Sequence, residues 1–157
     1  MDLSVEYIKM CEKSTEIQEL WNPTQGDYFL ERVDETSLDD IAHGCYIEEY
    51  FRIIGSDEQS NLCSMSIVNS YKQGNVWLPR QDQLQEMIIE RVKCSPDKDV
   101  ALLYMFHSWM TEEDGRSFGF EKAVFPDPSM EQLWFAFVMK KNFQKVWNGS
   151  DWIEKFS

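Results

Sequence analysis

Two histidines, four cysteines and 28 carboxylates are the side chains in this sequence with chemistry to offer. His107 stands inside the apolar helix expected over 96–110. An imidazole there is a possible base or metal ligand. A structural histidine with one satisfied hydrogen bond is the favoured reading. His43 precedes Gly44 and Cys45. A Cys–His nucleophilic pair would need the fold to bring Cys45 to His107, and nothing in the sequence requires that. Cys11, Cys45, Cys63 and Cys94 are widely and irregularly spaced. With no C-x-x-C pair, a zinc ribbon or a thioredoxin-type site is disfavoured. The cysteines read as reduced, mostly buried small hydrophobes.

The carboxylates cluster at Asp39-Asp40 and Glu112-Glu113-Asp114. A divalent cation needs several oxygens converging on one point, and adjacent residues do not generally converge. Glu121-Lys122 follows an acidic turn and faintly suggests a nuclease acid–lysine pair, but the spacing is wrong and no upstream aspartate is evident. The seven glycines are scattered, so there is no phosphate loop, and Gly-x-Ser-x-Gly is absent. Arg80-Gln81-Asp82-Gln83 opens a helix with polar groups. A ligand at that N-terminus is conceivable, although a polar first turn is the plainer reading. No catalytic, cofactor-binding or metal-binding residue is assigned. What remains is an acidic interaction surface at Asp34, Glu35, Asp39, Asp40, Glu48 and Glu49.

Charge sharpens that reading. The net charge is −13; residues 1–60 hold 15 acids against 4 bases, and residues 61–157 hold 13 against 11. Such a surface repels nucleic acid and anionic membranes. It suits a protein partner, and a basic one in particular. The plain alternative is a solvated face that keeps the protein soluble.

The elements that must position these groups can be read in part. Residues 5–21 predict one helix, with Val5, Ile8, Cys11 or Glu12, Ile17, Leu20 and Trp21 near a helical period. Asp2 or Ser4 would cap it, and Asn22-Pro23 would stop it. Gln25-Gly26-Asp27 is a turn signal, and residues 27–33 alternate as a strand. Residues 34–76 are least readable, and Tyr46 to Ile54 fits either helix or strand. Val76-Trp77-Leu78 is a short strand. Residues 80–93 form a helix with Leu84, Met87, Ile88 and Val92 on one stripe. Ser95-Pro96 starts another, whose apolar residues on several faces (Leu102, Leu103, Met105, Phe106, Trp109, Met110) predict full burial. A strand or extended loop is expected at 119–125. Ser129 and Gln132 form a capping box for the last helix, with Leu133, Trp134, Phe137 and Val138 inward. Residues 146–153 predict a hairpin turning at Asn148-Gly149 in a type I′ turn, with Trp147 across from Trp152. The echo of Trp21-Asn22-Pro23 in Trp77-Leu78-Pro79 reads as chance.

A chain of 157 residues with 14% aromatic content can bury roughly 70% of its unfolded surface without staples. The expected fold is α+β: a single compact domain (acidic 1–60, helical 80–157) of about four helices, a small mainly antiparallel sheet and a C-terminal hairpin. The first residues lack a basic segment followed by an apolar core, and the longest apolar run, 133–139, is far short of a span. A cytoplasmic setting is therefore expected.

Three stretches, WLPRQDQLQEM (77–87), SMEQLWFAFVM (129–139) and VWNGSDWI (146–153), together with Cys11, Ile17, Gln18, Trp21, Pro23, Gly26 and Asp27, carry a resemblance. The chain resembles small uncharacterised proteins encoded in phages and prophages of Gram-positive bacteria, over most of its length except residues 34–75. The resemblance implies a phage accessory protein in the bacterial cytoplasm and no functional residues. The favoured function is non-enzymatic protein binding without direct contact to nucleic acid or membrane, with no cofactor. Its sharper version is an inhibitor that mimics the charge of DNA to block a host nucleic-acid-binding or defence protein. A homodimer is left open. The alternative is a small enzyme with a nucleotide- or metal-dependent site.

Overall fold

A computed structural model describes residues 1–31, 50–53, 74–90, 92, 97–111 and 127–154. It confirms mixed helix and strand, with five helices and two antiparallel sheets among the described residues. Contacts divide the chain into two compact units, one of Met1–Glu16 with Pro79–Ser157 and one of Ile17–Leu78.

The first unit opens with α1 (Val5–Glu12). Ser4 caps it, its hydroxyl accepting the Tyr7 N–H at 3.2 Å. The single helix expected over 5–21 is in fact broken at Lys13-Ser14, and α2 (Thr15–Leu20) follows, belonging to the second unit from Ile17 on. Ser14 causes the break. Its hydroxyl and its N–H both bind the Cys11 carbonyl, at 2.8 and 3.2 Å. A serine that binds nearby backbone competes with the helical ladder. Next in this unit comes α3 (Gln81–Ile89), shorter than the expected 80–93. Its end tightens into a turn in which Val92 N–H reaches the Ile89 carbonyl, so Val92 leaves the stripe that Leu84 and Ile88 keep.

The last two helices are α4 (Lys98–Thr111) and α5 (Met130–Phe143). Their roles reverse the expectation: α5 is the enclosed helix. Every side chain from Trp134 to Met139 is buried, with α1, α3 and the strand β4 (Lys145–Trp147) packed around it. The inward stripe is thus wider than expected, gaining Phe135, Ala136 and Met139, while Leu133 is only half-buried. Phe135 meets Tyr7 edge-on at 5.8 Å and lies along Trp152 at 5.5 Å. Gln144 ends α5 in the left-handed region, at φ 57°. This lets the chain reverse directly into β4.

β4 pairs with β5 (Trp152–Glu154), placing Trp147 opposite Trp152 as expected, at 5.1 Å between rings. The turn differs from the expected type I′. That turn requires positive φ at both central residues, and here Gly149 has it while Asn148 does not. The connection is instead the longer loop 148–151, organised by Asn148 Oδ1, which accepts from the Ser150 and Asp151 N–H groups and the Ser150 hydroxyl. Trp152 Nε1 donates to the Met10 carbonyl at 2.9 Å, and Lys9 Nζ to the Gly149 carbonyl at 3.1 Å. Both bonds dock the hairpin on α1.

The second unit holds β1 (Tyr28–Glu31), β2 (Tyr50–Ile53) and β3 (Val76–Leu78) in the antiparallel order β2-β1-β3. The ambiguous segment near Tyr50 is therefore a strand. Asp27, at the expected turn, is buried, its carboxylate accepting the Trp21 indole N–H and the Thr24 N–H at 2.9 Å each. The two Trp-x-Pro tripeptides, read from sequence as a chance echo, stack their indoles at 6.1 Å and 5°. Expectations for residues 34–49, 60–71 and 119–125 lie outside the described residues.

Candidate functional site

Helix α4 begins at a cap two residues beyond the expected Ser95. Asp97 Oδ1 accepts the Val100 N–H at 3.2 Å, which satisfies one of the donors that a helix start leaves open. From there the helix carries apolar side chains on two faces.

Leu102, Phe106 and Trp109 form the inner face, 3%, 4% and 1% exposed. Phe106 stacks on Trp134 of α5 at 3.9 Å and meets Phe137 edge-on at 5.4 Å, while Trp109 lies 5.2 Å from Phe137. Aromatic pairs add roughly 0.5–1.5 kcal/mol each beyond burial, so the helix is anchored firmly on α5.

Val100, Leu103, Tyr104 and His107 stand at i, i+3, i+4 and i+7. That spacing puts them on one face. This face is open: Val100 is 60%, Leu103 57% and Tyr104 72% exposed, and His107 is exposed as well. The expected burial of this helix on all sides is overturned, because α5 covers one side only. Single exposed apolar residues are ordinary, whereas several grouped on one helix face make a candidate interaction surface. Sequence reading missed these residues as a site. Apolar groups on several faces are the signal in the sequence, and they fit an enclosed helix as well as one with an exposed apolar face.

Charged groups lie at the start of α4 and on α3. Asp97 and Asp99 are exposed at the start of α4, with Lys98 between them. Glu112-Glu113-Asp114 follows the helix in sequence. On α3, which packs against α4, Glu86 and Glu90 are exposed.

The candidates from sequence fall elsewhere. Asp34, Glu35, Asp39, Asp40, Glu48 and Glu49 lie outside the described residues, as do His43, Cys45, Glu112 to Asp114 and Glu121-Lys122. His107 sits on the open face rather than inside an apolar core. The polar turn at Arg80 is satisfied internally: Arg80 Nε and Nη2 donate to the Asp82 carboxylate at 3.1 Å each, and its N–H to Gln83 Oε1 at 2.9 Å. Among the described residues, no group of three or more His, Cys, Asp or Glu is placed to hold a metal ion. None of the described helices is long and apolar enough to cross a membrane.

The titratable groups displaced from their ordinary values have internal causes. Burial pushes up Tyr7, whose hydroxyl donates to the Pro79 carbonyl, and its neighbour Cys11. The Arg80 guanidinium holds Asp82 down. Burial acts to raise Glu16, but its hydrogen bond to Lys145 and the attraction of that ammonium prevail and hold it below its usual value. Each fits structural pairing rather than a tuned catalytic group. No protein family, curated protein or solved structure matches the chain.

Proposed function

We propose that this protein acts by binding another protein, without catalysis, as an accessory factor in the bacterial cytoplasm. The observation that carries this reading is the open apolar face of α4, whose opposite side is locked into aromatic packing. A rigid helix presenting i, i+3, i+4 and i+7 side chains is a recurring mode of protein recognition. The net charge of −13 supports the same reading by steering the molecule toward basic surfaces and away from nucleic acid. The phage resemblance supports the setting.

Charge mimicry of DNA is the narrower form of this proposal, aimed at a host nucleic-acid-binding or defence protein. In the first 31 residues several acids are held in internal bonds: Asp2 to Ser4 and Ser129, Glu16 to Lys145, Asp27 to Trp21. A mimic would draw on exposed Glu6, Glu12 and Glu19 together with Asp34, Glu35, Asp39, Asp40, Glu48 and Glu49.

A photo-crosslinking residue placed at Tyr104 in the full chain, expressed in a Gram-positive host, tests the binding reading. A matched probe at exposed Asn22 is the control. The expected result is a discrete protein adduct from position 104 that position 22 does not give. Equal adducts at both positions, or none at 104, would overturn it.

A further inference from the structure

We propose that Asn148 is a site of spontaneous covalent modification. Its side-chain amide is lost through a cyclic imide formed with the Gly149 backbone nitrogen, and the loop that ties the C-terminal hairpin to α1 is remodelled. Asn148 alone among the asparagines precedes a glycine. With no Cβ on Gly149, nothing on that residue hinders the approach of its nitrogen to the neighbouring side chain. Asn148 is exposed, so water reaches the site.

The loop places the reacting groups. Asn148 Oδ1 accepts the Ser150 N–H at 2.9 Å, the Asp151 N–H at 2.8 Å and the Ser150 hydroxyl at 3.0 Å. The first bond closes an Asx-turn, a ring that contains both Asn148 Cγ and the Gly149 nitrogen. All three donors bind the oxygen that becomes negative when that nitrogen attacks Cγ. They polarise the carbonyl and stabilise the developing oxyanion. Among the described residues, neither the Gly149 N–H nor Asn148 Nδ2 has a hydrogen-bond partner, so no such bond restrains the attacking or the leaving nitrogen.

A C–N bond forms between the Gly149 nitrogen and Asn148 Cγ, the Cγ–Nδ2 bond breaks, and ammonia leaves with the proton from the Gly149 nitrogen. Water then opens the imide at either carbonyl, giving aspartate or isoaspartate. The net change is one water consumed and one ammonia released. The two products differ in their effect on the fold. Aspartate keeps an acceptor oxygen for the turn. Isoaspartate carries the chain through the former side chain and adds a methylene to the backbone beside Gly149. The Gly149 carbonyl, which accepts Lys9 Nζ at 3.1 Å, is then displaced, as is Asp151, whose carboxylate lies 3.3 Å from Lys13 Nζ. The docking of the hairpin on α1 loosens.

The full chain, aged in heavy-oxygen water at mildly alkaline pH and then digested for peptide mapping by mass spectrometry, tests the proposal. Asn148 is expected to give a mixture of aspartate and isoaspartate, each carrying one heavy oxygen. Asn142, which precedes Phe143 and donates Nδ2 to the Met87 carbonyl, should keep its amide over the same period. Loss at Asn148 should be faster in the folded chain than in urea. It should be severalfold slower in Ser150→Ala, which removes the hydroxyl donor and leaves the backbone donors in place; a melting curve checks that this variant is folded. The isoaspartate form, separated by chromatography, should melt below the parent, and Asn148→Asp close to it. Loss at Asn148 as slow as at Asn142, or a product that is aspartate alone, would overturn the proposal. Equal or faster loss in urea, or an unchanged rate in Ser150→Ala, would show that the folded loop does not promote the reaction and would overturn it too. An isoaspartate form that melts with the parent would overturn the remodelling of the hairpin.

Discussion

Gln132 Nε2 donates to Ser4 Oγ at 3.1 Å, joining the caps of α1 and α5 across 128 positions of sequence. The bond closes a ring. Ser4 N–H donates to Asp2 Oδ1 at 2.8 Å, and Ser129 Oγ donates to Asp2 Oδ2 at 2.6 Å. Ser129 Oγ accepts the Gln132 N–H, and Gln132 Oε1 accepts the Ser129 N–H. One glutamine thus serves its own helix's capping box and the cap of another helix. Gln132 itself is buried.

Replacing Gln132 with Ala should therefore cost more than an ordinary cap. The change leaves the Ser129 N–H without its partner and unlinks the two helix starts, for a loss of about 2 kcal/mol. The ring also predicts coupling. In a double-mutant cycle, Ser4→Ala and Gln132→Ala together should cost less than the sum of the single changes. Urea midpoints of the four proteins measure this, and strict additivity would show that the ring is not a unit.

Gln18 predicts a different failure. Its side-chain amide accepts the Trp77 N–H at 2.8 Å and donates to the Trp77 carbonyl at 3.0 Å. β3 ends the described sheet, and Gln18 occupies the hydrogen-bonding positions that another strand would take. Gln18→Leu would leave both backbone groups unmet, at about 1–3 kcal/mol each, and would open a strand edge to other chains. The expected outcome is a lower urea midpoint with concentration-dependent light scattering. A less stable protein that stays monomeric would limit Gln18 to a stability role.

What the sequence disclosed and what it hid follow from the range of the interactions involved. Ser4, Ser129 with Gln132, the Asn22-Pro23 stop and the Gly26 turn act within a few residues, and local pattern sufficed to find them. The Gln132–Ser4 bond and the Trp21–Trp77 stack depend on tertiary placement that no local period encodes. The break at Ser14 comes from a side chain that suits helix and turn alike. Of the site, the apolar residues of α4 were visible. Their partition into a covered and an open face was not, because that depends on which side α5 occupies. The acidic candidates from Asp34 to Glu49 lie outside the described residues.

That partition can be measured directly. Phe106→Ala removes a ring packed on Trp134, Trp109 and Phe137 and should cost about 3–5 kcal/mol. Tyr104→Ser, two positions away on the same helix, removes a largely exposed ring and should change stability by at most about 0.5 kcal/mol. Thermal or urea unfolding of the two variants decides between the faces. A large loss for Tyr104→Ser would mean that Tyr104 is packed in solution and that α4 has no open face.

The Glu16–Lys145 ion pair makes stability depend on acidity in a defined window. Both side chains are about three-quarters buried, with 25% and 24% exposed. Burial alone would raise Glu16. The Lys145 ammonium outweighs it, and the carboxyl titrates below its ordinary value, which is about 4.3 for glutamate in an unfolded chain. A carboxyl depressed on folding binds its proton more readily in the unfolded state. Its contribution is therefore complete above the unfolded value and disappears as the pH falls through the folded one. Lys145→Met removes the ammonium and leaves a largely buried carboxylate without its cation. The variant should be less stable than the parent by roughly 1 kcal/mol near neutrality, the upper range for such pairs. The gap should narrow as the solution is acidified through about pH 4.3. The narrowing begins above that value because burial raises the carboxyl of the variant, and it continues below as the parent's carboxyl takes up its proton. Glu16→Gln should remove most of the pH dependence of the gap, because neither protein then titrates at this site. Unfolding curves collected from pH 7 to pH 3 test both expectations, and a gap that stays constant throughout would show that Lys145 stabilises through its packing rather than its charge.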